Sequence, residues 1–343
     1  MSEGSTRSRL PLKLDSHGGV DIGRRRRHNE DAILLRPDLH LYVVADGAGG
    51  HNAGNVASAL ATTSLANFFE STEERMKGLP DVDAFGLSKG ERRLAAGIQH
   101  ANRDIVEISK TSNKHKGMGT TVVAISVNAD HGIAHIAHVG DSRCYRWRAG
   151  ELEQLTYDHS LINDVLETRP EVSDEALERL PRHVVTRALG MDTRVRVSVR
   201  SHRMLTGDRF LLCSDGLTDE LDDDQLAQAL RLDKSAEDIV GLLIGMAKES
   251  GGDDNIAALV VSCEIAPTAP ASSWPRRRTS VHPPHARPEM TTIVDSSEAD
   301  ARDMDPEIMI VSVEHEPDVV PAGSANQELL DAIEALKFVK DES

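Results

Sequence analysis

The sequence predicts a layered α+β fold built on antiparallel sheet. Apolar, β-rich runs come in adjacent pairs, where a doubly wound parallel sheet would alternate them strictly with helices. Two long stretches repeat apolar residues at spacings of three and four, the period of a helix with one buried face. Several acidic residues sit at the ends of the apolar runs, where a sheet delivers its side chains to a loop-lined surface.

Along the chain, residues 41–45 are the first strand-like run. Helical periodicity follows at Ala57, Ala61, Leu65 and Phe68, and again at Leu94, Ile98, Ala101, Ile105 and Ile108. Residues 121–127 and 133–139 then form a strand pair. Arg148-Ala149-Gly150-Glu151 reads as a hairpin turn between strands at 144–147 and 152–155. Residues 210–213 and 257–261 are the last strands of the compact region.

Composition changes near Ile265. Nine of the 14 prolines lie beyond Glu264, where 7 Lys+Arg stand against 15 Asp+Glu. The expected division is a flexible N-terminus at 1–13, a compact domain at 14–264 and a Pro-rich, acidic, largely disordered tail at 265–343. Within the tail, 308–313 is a short β-like run. Leu329, Ile333 and Leu336 place one apolar face on a helix over 326–340, read either as a docking helix or as a nascent, mostly unfolded one.

The whole chain carries 39 Lys+Arg and 56 Asp+Glu, a net charge of −17. That balance, with few aromatics, argues against a nucleic-acid-binding role, despite the basic runs Arg24 to Arg27 and Arg276 to Arg278. No apolar run is long enough to span a membrane, and the N-terminus lacks the apolar core of a secretory signal. Cys144, Cys213 and Cys263 are too few for a disulfide framework and read as buried, reduced thiols. A cytoplasmic location is expected.

The acids carry the functional signal. Asp46 and Gly47 close the run 41–45, Asp141 follows 133–139 and Gly140, Asp215 follows 210–213, and Asp254 precedes the strand at 257–261. Any one of them alone reads as a turn former or helix cap. Together at one pole of a sheet they would repel each other, and hard divalent cations such as Mg²⁺ or Mn²⁺ would relieve that repulsion. Arg24 to Arg27 run directly into Glu30 and Asp31. The arginines read as a solvated face, or as an anion site that sets a guanidinium beside acids and so suits phosphate chemistry.

The motifs then resemble those of the protein phosphatase 2C family, the metal-dependent Ser/Thr phosphatases, in its bacterial form. The matching stretches begin with Asp21-Ile-Gly-Arg-Arg-Arg26-Arg-His-Asn29-Glu30-Asp31, Val44-Ala-Asp46-Gly47-Ala-Gly49-Gly50-His51 and Gly117-Met-Gly119-Thr120-Thr121. Val139-Gly140-Asp141-Ser142-Arg143, Leu155-Thr-Tyr-Asp158-His159-Ser160 and Val185-Thr-Arg187-Ala-Leu-Gly190 come next. Cys213-Ser-Asp215-Gly216-Leu-Thr-Asp219 and Gly251-Gly-Asp-Asp254-Asn255-Ile256 complete the set. Each motif alone is weak; eight in order are specific.

The resemblance implies a four-layer α-β-β-α sandwich of two antiparallel sheets flanked by helices. It implies two Mn²⁺ or Mg²⁺ ions held by Asp46, the Gly47 carbonyl, Asp215 and Asp254, with a third metal at Asp141. Glu30 and Asp31 are expected to hold metal-bound waters, and Arg26 to bind the phosphate. The implied reaction is hydrolysis of phosphoserine and phosphothreonine in phosphoprotein substrates, by direct attack of a metal-bridging hydroxide and in opposition to a Ser/Thr kinase. The stretch 158–190 resembles the family's flap beside the cleft.

This chain departs from the pattern at Ala48, where eukaryotic members carry the His proposed as general acid, and at Gly54-Asn55, where the family often has Gly-Glu. Metal-bound water, His51 and His159 are the candidate proton donors. A binding module that kept the fold without turnover, and a small-molecule phosphomonoesterase, are the competing readings. Arg276-Arg-Arg278-Thr279-Ser280 reads as a charged linker, and also resembles a basophilic kinase site.

Overall fold

The computed structural model describes residues 13–49, 53–111, 113–177, 179–181 and 183–264, and the strand backbones of Thr291–Asp295 and Val311–Ser312. The chain opens with strands β1 (Lys13–Asp21), β2 (Asp31–Arg36) and β3 (Leu41–Ala48) and the long helices α1 (Ala53–Lys77) and α2 (Lys89–Thr111). Strands β4 (Gly119–Thr120), β5 (Val122–Asn128), β6 (Ile133–Val139), β7 (Arg143–Arg148) and β8 (Glu151–Gln154) follow. Short helices α3 (Leu161–Thr168) and α4 (Asp174–Leu177) precede β9 (Val197–Arg203) and β10 (Arg209–Cys213). Helices α5 (Asp215–Thr218), α6 (Asp223–Leu230) and α7 (Ala236–Ser250) lead to β11 (Ile256–Glu264), and the tail contributes β12 (Thr291–Asp295) and β13 (Val311–Ser312).

All described strand pairs are antiparallel. One sheet runs β1-β11-β10-β7-β8, and the other β13-β12-β9-β6-β5-β3-β2 with β4 beside β3. Alternation along the strands builds four layers. Tyr42 and Val44 of β3 meet Phe210 and Leu212 of β10 and Leu259 and Val261 of β11 in the core between the sheets. Leu41, Val43 and Ala45 point the other way, against Leu65, Phe69, Leu94 and Ile98 of α1 and α2. On the far side, Leu211, Cys213, Ala258 and Val260 pack on Leu226, Ile239 and Leu243 of α6 and α7. The expected α-β-β-α sandwich is the observed one.

The hairpin turn falls where the sequence places it. Arg148 pairs with Glu151, and both loop residues have positive φ, 51° at Ala149 and 97° at Gly150. Such a two-residue turn matches the twist of the flanking strands. The sequence gives no warning of β1, β2, β9 or α7. Strands β1 and β2 lie at sheet edges, half-buried and mixed in polarity. In α7, Leu242 is exposed although Ile239 and Leu243 are buried, so apolar residues on more than one face blur the period.

Beyond Glu264, Thr291–Asp295 adds to β9 through Thr291–Val199, Thr292–Ser198 and Ile293–Val197. Of the β-like run at 308–313, Val311 and Ser312 pair with β12. The residues 1–12, the docking helix at 326–340, the Thr279-Ser280 site and His51 lie outside the described residues. No described helix is long and apolar enough to cross a membrane.

Candidate active site

Strand parity aims the first acid. Asp46 shares its side of β3 with Tyr42 and Val44, so where the inter-sheet core ends its carboxylate enters the cleft between the sheets. The β2–β3 register sets Asp31 directly opposite Asp46. Thr121 and Thr120 fix the backbone there. The Asp46 N–H donates to Thr121 Oγ1 at 3.2 Å, and the Asp46 carbonyl accepts from the Thr121 N–H at 2.8 Å and from Thr120 Oγ1 at 2.7 Å. Ser214, just before α5, donates from its hydroxyl to Asp31 Oδ2 at 2.8 Å while accepting from the Ala257 N–H at 2.9 Å.

Like charges facing each other across a strand pair destabilise one another, and the acids register it. Burial, with the charges of Asp215 and Asp254, pushes the Asp31 carboxyl up to about 7. Burial and then Asp31 and Asp215 raise Asp46 well above the usual carboxylate range. Asp141 is pushed up to about 7 by burial, Asp215 and Asp158, and burial raises Asp215 and Glu30 as well.

Gly47 and Gly54 touch backbone to backbone. A Cβ on Gly47 would lie 2.2 Å from the Gly54 carbonyl oxygen, and one on Gly54 would lie 2.8 Å from Glu30 Oε2. The departure at Gly54-Asn55 therefore keeps the glycine that this contact requires, and Asn55 stands on α1 beyond it.

Asp254 is engaged differently from the other acids. Its Oδ1 accepts the Asn255 N–H at 2.7 Å, and its Oδ2 pairs with Arg26 Nη2 at 2.6 Å. Arg25 Nε meets Asp253 at 2.7 Å alongside. The arginine run thus lies against the acids, as the sequence suggests, with its second and third members paired.

Among the described residues, the set of three metal-type ligand atoms lying within 4.8 Å of one another is His183, Asp215 and Asp219. It shares Asp215 with the expected set of Asp46, Asp215 and Asp254, while Asp254 is paired with Arg26. His183 and Asp219 carry no expected role, although Asp219 closes a quoted motif. The hydrogen-bonding parts of Ser214, Thr121 and Asn255 were equally unassigned, each inside a motif that marks its position and not its partner.

His159 is not placed to give a proton to a substrate. It is buried, stacked on His138 with ring centroids 4.5 Å apart. Its Nδ1 accepts from the Gly140 N–H at 3.0 Å and its Nε2 lies 3.0 Å from Ser198 Oγ, and burial pushes it well below the usual histidine range. The cysteines are also excluded from the chemistry. All three are buried free thiols, and burial pushes Cys213 and Cys263 up to about 12.

The donor set suits divalent cations. It is made of hard oxygens at high mutual charge, and Asp215 Oδ1 is buried among them with no hydrogen-bond partner. A family model described as protein phosphatase 2C matches residues 22–255 of this chain. The chain belongs to the protein phosphatase 2C family. It is 34% identical over 249 residues to the serine/threonine phosphatase stp of Listeria monocytogenes serotype 4b, covering 72% of this chain and 94% of the relative. It is 29% identical over 246 residues to protein phosphatase PhpP of Streptococcus pneumoniae serotype 2, covering 71% and 95%.

Solved structures agree. The serine/threonine phosphatase PstP/Ppp of Mycobacterium tuberculosis superposes with a TM-score of 0.63 at 31% identity, covering 74% of this chain and all of that one. A catalytic domain of PstP in complex with two manganese ions gives 0.61 at 30% identity with the same coverage. The chain is thus a protein phosphatase of a metal-dependent family.

Proposed function

We propose that this phosphatase hydrolyses phosphoserine and phosphothreonine in proteins, with two Mn²⁺ or Mg²⁺ ions held by Asp46, the Gly47 carbonyl, Asp215 and Asp254. The observation that carries this reading is the convergence of Asp31, Asp46 and Asp215, whose carboxyls burial and mutual charge hold above their usual range. Asp141, raised by the same causes, is the proposed ligand of a third, weaker ion. Ions held there would lower the pKa of water, so that hydroxide is available at neutral pH, and would offset the charge of the phosphate.

The protein's own residues supply position and complementary charge. Arg26 grips the non-bridging phosphate oxygens with its planar fork of donors. Asp31, held by Ser214, and Glu30, behind Gly54, orient water in the cleft. Thr120 and Thr121 hold the backbone of Asp46, so its carboxylate needs little rearrangement during turnover. We further propose a Ser/Thr kinase as the opposing activity and the cytoplasm as the location. The acidic chain and its three reduced, buried thiols support that placement.

The test is hydrolysis of a phosphothreonine peptide by the full chain with Mn²⁺, with EDTA, and in Asp46→Ala. Activity that needs Mn²⁺ and disappears in Asp46→Ala is expected. Turnover surviving EDTA would refute the metal centre. A folded, Mn²⁺-binding protein inactive on every phosphopeptide would support the binding-module reading.

A further inference from the structure

Asn255 has no assigned role, yet its side chain is saturated. It is 5% exposed at the entrance of β11, next to Asp254. Its Oδ1 accepts the Glu30 N–H at 2.8 Å, and its Nδ2 donates to the carbonyls of Ile22 and His28, each at 3.0 Å. The partners fix the orientation of the amide, since only its nitrogen can donate to two carbonyls. All three bonds go to the backbone of one loop, residues 22–30, more than 220 positions away in the chain.

That loop carries Arg26. On one side of Arg26, the Arg24 N–H donates to the Gly252 carbonyl at 2.7 Å. Gly23, at φ 75°, lies so close that a Cβ would sit 2.0 Å from the Asp254 carbonyl oxygen. On the other side, His28 hangs from Asn255. Glu30 has separate anchors, because its carbonyl accepts from the Gly47 N–H at 3.2 Å and from Ser58 Oγ at 2.5 Å. Losing the Asn255 amide therefore frees the Arg26 side of the loop first, while Glu30 keeps two of its ties.

We propose that Asn255 is a positioning residue for phosphate. It hangs the arginine loop on the residue next to Asp254, so that the Arg26 guanidinium and the acids of the metal centre keep a fixed separation. Group transfer is sensitive to misplacement on the scale of one ångström, which the loss of this tie permits. The inference rests on the reading of Arg26 as the phosphate-binding residue.

A double-mutant cycle in the full chain tests it, with Arg26→Ala, Asn255→Ala and the pair. The readouts are kcat/KM on a phosphothreonine peptide, inhibition by inorganic phosphate, the Mn²⁺ concentration for half activation, and amide hydrogen exchange of the metal-free protein. Asn255→Ala is expected to lower kcat/KM by about 10- to 100-fold and to weaken phosphate inhibition as Arg26→Ala does. The pair should be no worse than Arg26→Ala alone, and Asn255→Ala by itself should leave the Mn²⁺ requirement unchanged. Amides of residues 23–30 should exchange faster while those of β10 stay slow. If Asn255→Ala loses the slow β10 amides, the milder Asn255→Ser replaces it in the same cycle. Additive losses in the pair, or phosphate inhibition equal to that of the unmodified protein, would overturn the inference. Arg26→Ala with intact phosphate inhibition would instead refute the phosphate-binding reading, and this inference with it.

Discussion

Asp31 and Asp46 face each other across the β2–β3 ladder, with Asp31 buried and Asp46 half-buried. Two carboxylates in that relation cannot both ionise without cost. Such a pair is relieved either by a shared proton or by a nearby cation.

The pH dependence of stability follows in sign. Asp31 and Asp141 are raised to about 7 in the fold, so their contribution is present at acid pH and lost as pH rises through 7. His138 and His202, lowered to about 4 by burial, and His135 and His159, lowered by the same cause, work the opposite way, an effect that fades as pH rises past the ordinary histidine value near 6.5. Between about pH 7 and 8 the histidines are mostly neutral in both states, and the acids, Asp46 among them, carry most of the change. The metal-free protein should lose Tm across that window, and saturating Mn²⁺ should remove the loss. Calorimetry at constant ionic strength measures this; a flat or rising metal-free Tm would contradict it.

Asp46→Asn should separate stability from function. Removing one of the facing charges should stabilise the metal-free protein at pH 7.5. The same change should abolish Mn²⁺-dependent hydrolysis. Denaturant melts in EDTA, run beside phosphopeptide assays, give both numbers.

Arg26→Ala should lower kcat/KM by about 100-fold. It should also ease metal binding, because Arg26 pairs with Asp254 at 2.6 Å and competes for that carboxylate. The pair is partly exposed, so the Mn²⁺ requirement should fall by no more than about fivefold. A requirement that rises would show that Arg26 supports the metal centre directly.

Gly54→Ala would place a methyl 2.7 Å from the Gly47 carbonyl oxygen and 2.8 Å from Glu30 Oε2. It should cost about 1–3 kcal/mol of stability and disturb the Gly47 carbonyl. Mn²⁺ titration by calorimetry should show weaker binding than in Asn55→Ala, which leaves that contact intact.

Cys213→Ala tests the exclusion of thiol chemistry. Cys213 is fully buried against α5–α7, so its loss should destabilise by about 1–2 kcal/mol and leave kcat nearly unchanged. Abolished turnover in a folded variant would reopen the question of a covalent intermediate.

The sequence reveals the parts that periodicity and position encode. Residues 41–45 and 133–139 are buried strands because apolar residues occupy both faces, with His135 and His138 buried among those of the second run, and Asp46 and Asp141 are visible as acids beyond those runs. What stays hidden depends on partners far away in the chain. Ser214 reaches Asp31 across 183 positions and Asn255 reaches Ile22 across 233, and no local pattern announces either bond. Edge strands such as β1, with Ser16, His17, Gly18 and Gly19 in sequence, are half-buried and lose the alternation that would betray them.

The parity of β3 sets a rule for variation in chain length. Asp46 enters the cleft because it lies an even number of residues from Tyr42 and Val44. Inserting or deleting one residue between Tyr42 and Asp46 would turn either the core or the carboxylate to the wrong face of the sheet. The loop at 79–88 carries no such constraint, so length changes should be accepted there and rejected within β3 and in the hairpin turn that sets its register against β2.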